Sequence, residues 1–498
     1  MAGMDQSWPK LHSRHVWLLF LLSCLFALPI FLVNVPYMDD NARVLYGYTW
    51  SRSGRIFSTF LMNTLGLRSR NVLDLAPLGQ ILGLLALSCS GALLAARLLC
   101  GRRMDDLSVC LCALPLAVQP FFLENLSYKF DALPMLIAQS CAVLAALVPE
   151  GWSTRRLFAT CAAFLFAVMC FYQPALNTFL ALAVLLFVCD TCEGRDQAAW
   201  RALGLRVAAL GVTYGVYHFV IIRHFVHGSY AGPHSGTMSL HDVLSGMLWN
   251  NLQQARALLA SLLHGGPGVV LGLFYALGAA FVWSGVLPAL RRADRVAKLN
   301  ALALVSVPFL LVLLVPGIVL ILADTVIAPR IFMSFSACVI LANLFFLQTA
   351  VGQKLRWLAV VPLLYFYVVS FDFGNAMQAQ EQFEKEQVER LASMLDEAGF
   401  RPGDDLFLYG TEAEAPIVRN AITALPYLAD VLPRQQMSND AFFGYIRLRQ
   451  VGIDSREHTP AEWETAHSLL KASHLLHETP RFAVYRDGHR FASRLTGL

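Results

Sequence analysis

Apolar runs, each long enough to cross a bilayer and parted by short polar stretches, recur along most of this chain and stop near residue 375. A helix needs about 20 such residues to cross the hydrocarbon core, so about eleven transmembrane helices are expected. Their centres lie near Leu25, Leu85, Pro115, Val143, Phe166, Leu182, Leu210, Leu277, Val312, Leu341 and Leu364. The first run, Val16 to Val35, follows a weakly basic start at Lys10 and Arg14, shows no small-residue cleavage site, and is read as a retained span. The run from Leu157 to Cys189 is too long for one crossing. It is expected to break at Tyr172-Gln173-Pro174, because a proline and two polar groups are costly at mid-bilayer.

Beyond Asn375 the pattern is that of a water-soluble domain. Phe383, Val388, Leu391 and Leu395 form one apolar stripe in a charged stretch, which predicts a helix leading out of the last span until Gly399 and Pro402 stop it. Leu406 to Tyr409 reads as a short strand, and Arg481 to Ala492 as a hairpin about Asp487-Gly488. The expected organisation is an all-α polytopic membrane domain over 1–374 and a small α/β domain over 375–498, led by the amphipathic helix.

Composition agrees. With 57% hydrophobic and 14% charged residues among 498, the chain has more apolar surface than a water-soluble core can hide. The net charge of +4 is small, and the basic residues lie between apolar runs rather than in one patch, so nothing points to nucleic acid. Their placement reports topology. Arg102/Arg103, Arg155/Arg156, Arg195/Arg201/Arg206, Arg291/Arg292/Arg295/Lys298 and Lys354/Arg356 fall on one side together with the amino terminus. The positive-inside rule makes that side the cytoplasm, and an odd count of spans then puts the carboxyl-terminal domain outside. The eleven cysteines lie in apolar runs or in loops read as cytoplasmic, which is not a disulfide framework.

The first external loop carries the most suggestive chemistry. Tyr37-Met38-Asp39-Asp40-Asn41-Ala42-Arg43 leads through Tyr46, Tyr48 and Trp50 to Gly54-Arg55, a segment too amphipathic to cross and suited to lie along the interface. A carboxylate there can take the proton of a sugar hydroxyl attacking an anomeric carbon, and arginines can hold a leaving phosphate. On the same side lie Glu124-Asn125-Leu126-Ser127-Tyr128-Lys129-Phe130-Asp131, then Tyr172-Gln173, then Asp324 and Arg330. Any one of these residues reads as an ordinary cap, interfacial aromatic or snorkelling charge; their convergence on one face carries the argument.

The run Tyr37-Met38-Asp39-Asp40 with Arg43, Gly47, Trp50 and Gly54-Arg55, then Asn125 to Asp131, then Tyr172-Gln173, Pro329-Arg330 and Asn375-Ala376, resembles the serotype-converting O-antigen glucosyltransferases, the type II Gtr proteins. The resemblance implies a GT-C glycosyltransferase fold, an acidic catalytic residue in the first external loop, and undecaprenyl-phosphate-glucose as donor outside a bacterial inner membrane. On that basis Asp39 or Asp40 is expected to be the general base, with Asp40 favoured, and one direct displacement would invert the anomeric carbon. Chemistry then suggests Arg43, Arg55 and Arg330 for the donor phosphate. It suggests Trp50, Asn125, Tyr128, Lys129, Asp131, Tyr172 and Gln173 for the sugar or an acceptor glycan such as lipopolysaccharide O-antigen.

No obligatory cofactor is expected, since a monophosphate donor brings little charge to neutralise. A divalent cation at Asp39 and Asp40 is the alternative. His218, His224, His227 and His234 cluster near the end of the seventh span but have no carboxylate or cysteine at ligand spacing, so no metal site is assigned there. The competing function is a transporter or lipid-carrier flippase. Transporters place ionisable groups near the midplane and often repeat a half, whereas the charges here sit at span ends and no repeat is visible.

Overall fold

A computed structural model describes residues 8–68, 71–100, 102, 104–226, 236–291, 295–438, 442–456 and 458–497. Arg103, Arg292, His227, His234 and nearly all of the glycine-containing 228–236 loop lie outside the described residues. The chain forms two compact units, one of Met1–Phe31 with Tyr48–Phe371, the other of Leu32–Gly47 with Asp372–Leu498.

The first unit is helical. Among the described residues, eight helices are long and apolar enough to cross a membrane: Ser13–Val33, Leu78–Leu98, Thr154–Phe171, Gln173–Cys192, Asp196–Phe225, Gly265–Arg291, Arg295–Leu313 and Arg356–Glu397. Eight of the expected centres fall in them, while Pro115, Val143 and Leu341 fall in the shorter apolar helices Asp106–Leu116, Ala132–Leu147 and Phe335–Gln348. Leu299, Leu302, Val305, Phe309 and Leu313 are all exposed along one helix. Outward apolar side chains at helical spacing suit lipid, where a helix satisfies its own backbone.

Without a hydrophobic drive between helices in lipid, close approach depends on small residues. A Cβ at Gly83 would lie 2.5 Å from the Leu136 side chain, so glycine lets Leu78–Leu98 press onto Ala132–Leu147. At Gly278 a Cβ would come within 2.6 Å of the Leu341 carbonyl, and Gly265–Ser284 meets Phe335–Gln348 there backbone to backbone. The long run after Leu157 does break where its proline predicts. One helix ends at Phe171, a 3₁₀ turn covers Gln173–Ala175, and the next helix begins at Leu176.

The second unit contains a four-stranded sheet in the order β1-β4-β3-β2, with β1 Asp405–Thr411, β2 Leu475–Glu478, β3 Phe482–Asp487 and β4 Arg490–Thr496. β3 and β4 form the expected hairpin, closed at Gly488, whose φ of 62° suits a residue without Cβ. β1 lies parallel to β4, and β2 adds antiparallel to β3. One face buries Leu406, Leu408, Val484, Phe491 and Leu495 against Val388, Leu391 and Leu395, so three members of the predicted stripe enter this core. The fourth, Phe383, is half-buried beneath the Arg481 guanidinium. The other face buries Phe407, Tyr409, Ala483, Tyr485 and Ala492, the strict alternation of a sheet covered on both sides.

Candidate active site

In the helical unit, the residues singled out in sequence meet around two arginines. Phe122–Ser127 is a short helix, and Pro329–Ile331 a 3₁₀ turn that starts on a proline. The Arg330 backbone N–H donates to Glu124 Oε2 at 2.7 Å, and its Nη1 donates to Glu124 Oε1 at 2.5 Å and to the Tyr128 hydroxyl at 3.0 Å. Asn125 Nδ2 and the Tyr172 hydroxyl both donate to the Arg330 carbonyl, at 3.1 and 3.4 Å. The turn is therefore gripped from both of its faces. Burial opposes a charge on Arg330, but Glu124, Tyr128 and Tyr172 outweigh it and hold the guanidinium pKa above its ordinary value.

The second arginine belongs to the same network. Arg55 lies 3.5 Å from Asp131 Oδ1 and 4.8 Å from the centre of the Tyr172 ring, while Trp50 Nε1 donates to that same carboxylate oxygen at 2.6 Å. Burial pushes the Tyr172 hydroxyl up to about 12, so it remains a donor at neutral pH. Gln173 Nε2 donates to the Tyr217 hydroxyl at 2.7 Å, and Tyr217 donates in turn to the Gly54 carbonyl at 3.2 Å. Tyr217 ends the Asp196–Tyr217 helix where a π-turn, His218–Ile222, follows, a distortion common at functional positions. Trp50, Arg55, Asn125, Tyr128, Asp131, Tyr172, Gln173 and Arg330 thus form one linked cluster. Lys129 is turned instead to Asp74, at 2.6 Å.

Two arginines face two carboxylates in this cluster, so its formal charges balance. The Arg55 Nε is buried and has no hydrogen-bond partner among the described residues. A buried unmade donor costs free energy that an anionic oxygen would recover. Aromatic rings and side-chain amides such as those of this cluster are kinds of group that can hold a polar ligand by face and by hydrogen bond.

Asp39, Asp40 and Arg43 lie in the second unit. Met38 has a φ of 46°, left-handed for a non-glycine residue, and Asp39 follows it as the N-cap of the Asp40–Tyr46 helix, which Gly47 closes at φ 61°. Asp39 is exposed. Asp40 is fully buried, accepts from the Tyr37 backbone N–H at 3.2 Å and lies 3.9 Å from Arg43 Nη1. The adjacent carboxylates therefore differ in access, which their sequence does not reveal. Among the described residues no group of three or more His, Cys, Asp or Glu is placed to hold a metal ion, and His224 bonds to the Val220 carbonyl of its own helix.

Comparison with known proteins fits these features. A family model described as glucosyl transferase GtrII matches residues 28–341, nearly two thirds of the chain. The chain belongs to the GtrII glucosyl transferase family. It is also 26% identical, over 449 residues, to a protein of Salmonella phage P22 described as an uncharacterized 55.3 kDa protein in the gtrB 5′ region. That match covers 88% of this chain and 90% of the phage protein. No solved structure matches. Membership of a GtrII family, with many apolar helices, makes the chain a multi-pass membrane glycosyltransferase rather than a transporter or flippase.

Sequence reasoning missed two members of the cluster. Glu124 opens the motif that contains Asn125 and Tyr128, and a carboxylate beside an apolar run was the available signal. Its partner stands 206 positions away. Tyr217 has no local signature; only the turn of its helix brings its hydroxyl to Gln173.

Proposed function

We propose that this GtrII-family protein transfers a hexosyl group, glucose by family, from undecaprenyl-phosphate-sugar to a periplasmic glycan such as lipopolysaccharide O-antigen. The observation that carries the reading is the arginine, carboxylate and aromatic cluster around Arg55 and Arg330, set in a unit of apolar helices in a chain of this family. Arg55, with its partnerless Nε, and Arg330 receive the donor phosphate, assisted by Arg43. Trp50, Asn125, Tyr128, Asp131, Tyr172 and Gln173 hold sugar or acceptor hydroxyls. Lys129, engaged with Asp74, has the weakest claim to that role. The gtrB neighbourhood of the phage relative supports the O-antigen setting.

In the reaction, an acceptor hydroxyl attacks the anomeric carbon as the bond from that carbon to the phosphate oxygen breaks. Polyprenyl phosphate leaves, the configuration inverts, and a carboxylate of the Asp39-Asp40 pair takes the hydroxyl proton. Exposure favours Asp39 for direct contact with an acceptor, whereas Asp40 would reach it only after a local rearrangement. No obligatory metal is assigned, because a monophosphate ester brings less charge than a diphosphate. Three of the four shorter apolar helices, Asp106–Leu116, Ala132–Leu147 and Phe335–Gln348 but not the ten-residue Ile56–Leu65, added to the eight long ones, make about eleven crossings of a bacterial inner membrane. The amino terminus is then cytoplasmic and the carboxyl-terminal domain periplasmic.

The test is transfer of labelled glucose from a synthetic polyprenyl phosphate by purified protein. Asp39→Asn or Asp40→Asn, whichever removes the base, should lower kcat by about 10²- to 10⁴-fold with membrane insertion intact. Wild-type transfer in both variants would exclude the acidic pair.

A further inference from the structure

The second unit contains a device around the acidic pair that the transfer reaction does not by itself require. Asn41, the residue after Asp40, is completely buried, and its side-chain amide is a hub. Its Nδ2 donates to the Met38 carbonyl at 3.1 Å and to Gln436 Oε1 at 3.2 Å. Its Oδ1 accepts from Gln450 Nε2 at 3.3 Å and from Arg447 Nη1 at 3.5 Å. Both amide donors and the carbonyl are thereby engaged. Arg447 and Gln450 lie on one helix, Phe442–Gln450, and Arg447 is aimed by Glu381, whose carboxylate meets its Nη2 at 2.9 Å.

Gln436, which accepts from Asn41, is held in place by its neighbours. Gln435 takes a left-handed φ of 56°, its N–H donates to Glu384 at 2.9 Å, and its side chain donates to the Glu412 carbonyl at 3.0 Å. The next N–H but one, that of Met437, donates to Glu412 Oε2 at 3.1 Å. Two buried carboxylates and a strained backbone therefore bracket Gln436 and present its side chain to Asn41. The ends of the acidic segment are also tied. The Tyr37 hydroxyl donates to the Val431 carbonyl at 2.6 Å, and Arg449 donates to the Tyr46 hydroxyl.

A seven-residue helix cannot hold itself in water, and one entered through a left-handed methionine is less able still. Its position must come from what grips it. We propose that the carboxyl-terminal domain is a positioning clamp for the acidic pair, with Arg447 and Gln436 acting through Asn41 to set where Asp39 and Asp40 stand. Arg447 and Gln436 are positioning residues under this inference, and only its kinetic consequence rests on the proposed role of the acidic pair.

The experiment uses full-length protein in detergent, with Arg447→Ala, Arg447→Lys, Gln436→Ala, Asn41→Ala and the Arg447→Ala/Asn41→Ala double variant. Hydrogen exchange across residues 37–47 should accelerate at least tenfold in Arg447→Ala, while amides of the β-sheet keep their protection. In transfer assays kcat should fall by about 10- to 100-fold with donor KM within threefold of wild type, as expected when a reacting group is misplaced rather than removed. Arg447→Lys should recover part of that loss. The double variant should be no worse than the worse single variant, because both changes cut one connection. If Arg447→Ala unsettles the sheet amides, Gln436→Ala carries the same readings. Unchanged exchange across 37–47, or fully additive losses in the double variant, would overturn the clamp. Full transfer in both Asp39→Asn and Asp40→Asn would instead overturn the catalytic reading and leave exchange alone to decide the clamp.

Discussion

The helix from Leu176 to Cys192, 17 residues and about 25 Å long, has a network of buried charges at each end, and the two are built differently. At its amino-terminal end Tyr172 and Gln173 join the cluster of Arg55, Asp131, Glu124 and Arg330, where rings, amides and hydroxyls separate the charges. At its carboxyl-terminal end Asp190 accepts from Arg97 at 2.5 Å and from Arg195, while Glu150 lies 3.5 Å from Arg97 and 3.2 Å from Arg206. Among the described residues the pairings consist of arginines and carboxylates, and the side chains of Asp190 and Arg206 are almost wholly enclosed. Each end keeps buried groups unpartnered among the described residues, Arg55 Nε at the amino-terminal end and Asp190 Oδ2, Arg195 Nε and Arg206 Nε at the carboxyl-terminal end, so the difference lies in what surrounds the charges. Rings, amides and hydroxyls beside a charge can hold a polar ligand by face and by hydrogen bond, which ion pairs alone cannot. The carboxyl-terminal arrangement locks helices together; the amino-terminal one is suited to binding.

Breaking the lock should produce the largest effect. Arg97→Ala leaves Asp190 and Glu150 each short of a cation in a buried setting, which costs about 3–5 kcal/mol. Thermal unfolding in detergent should show that loss, and the turnover of whatever protein remains folded should be near normal. Equal stability in Arg97→Ala would show that the network is not a lock. Arg55→Gln is the counterpart at the other end. Trp50 still bonds Asp131, so stability should change by less than about 1 kcal/mol. Transfer should nonetheless fall about 100-fold in kcat/KM, equivalent to about 2.7 kcal/mol of lost transition-state binding. The distinction between the two ends fails if Arg55→Gln unfolds the protein or transfers glucose normally.

What could be read from sequence follows the range of the physics involved. Spans were legible because hydropathy is local, and the break at Tyr172 because proline carries its own signal. The β3–β4 hairpin was legible through Asp487-Gly488, whereas the parallel pairing of β1 with β4 joins strands some 80 positions apart and leaves no local trace. The site divides in the same way. Asp131, Tyr128, Tyr172 and Arg330 stood out as polar residues beside spans, but which carboxylate meets Arg330 depends on Glu124, far away in the chain. Arg195 and Arg206 read as topological charges, and nothing in sequence set Asp190 apart. Only the folded helices bring Arg97 between Asp190 and Glu150. The hub at Asn41 was invisible for the same reason, its partners lying about 400 positions later.

The smallest expected effect is one of pH, and it tests which member of the lock depends on its neighbours. Glu150 sits in the connection before the Thr154–Phe171 helix. Burial there would raise its pKa, but Arg206 and Arg97 outweigh burial and hold it below the ordinary carboxylate value. At neutral pH the group is ionised folded or unfolded, and its contribution to stability is complete. As the pH falls below about 4.3 the unfolded chain takes up a proton that the folded protein refuses, so stability declines until the lower, folded value is passed. Glu150→Gln removes that proton difference. The variant should be less stable at pH 7 and should lose less stability on acidification, so that its melting temperature converges on that of the wild type toward pH 3. Acid limbs that stay parallel would mean that Glu150 titrates alike in both states and that Asp190 carries the pairing with Arg97 by itself.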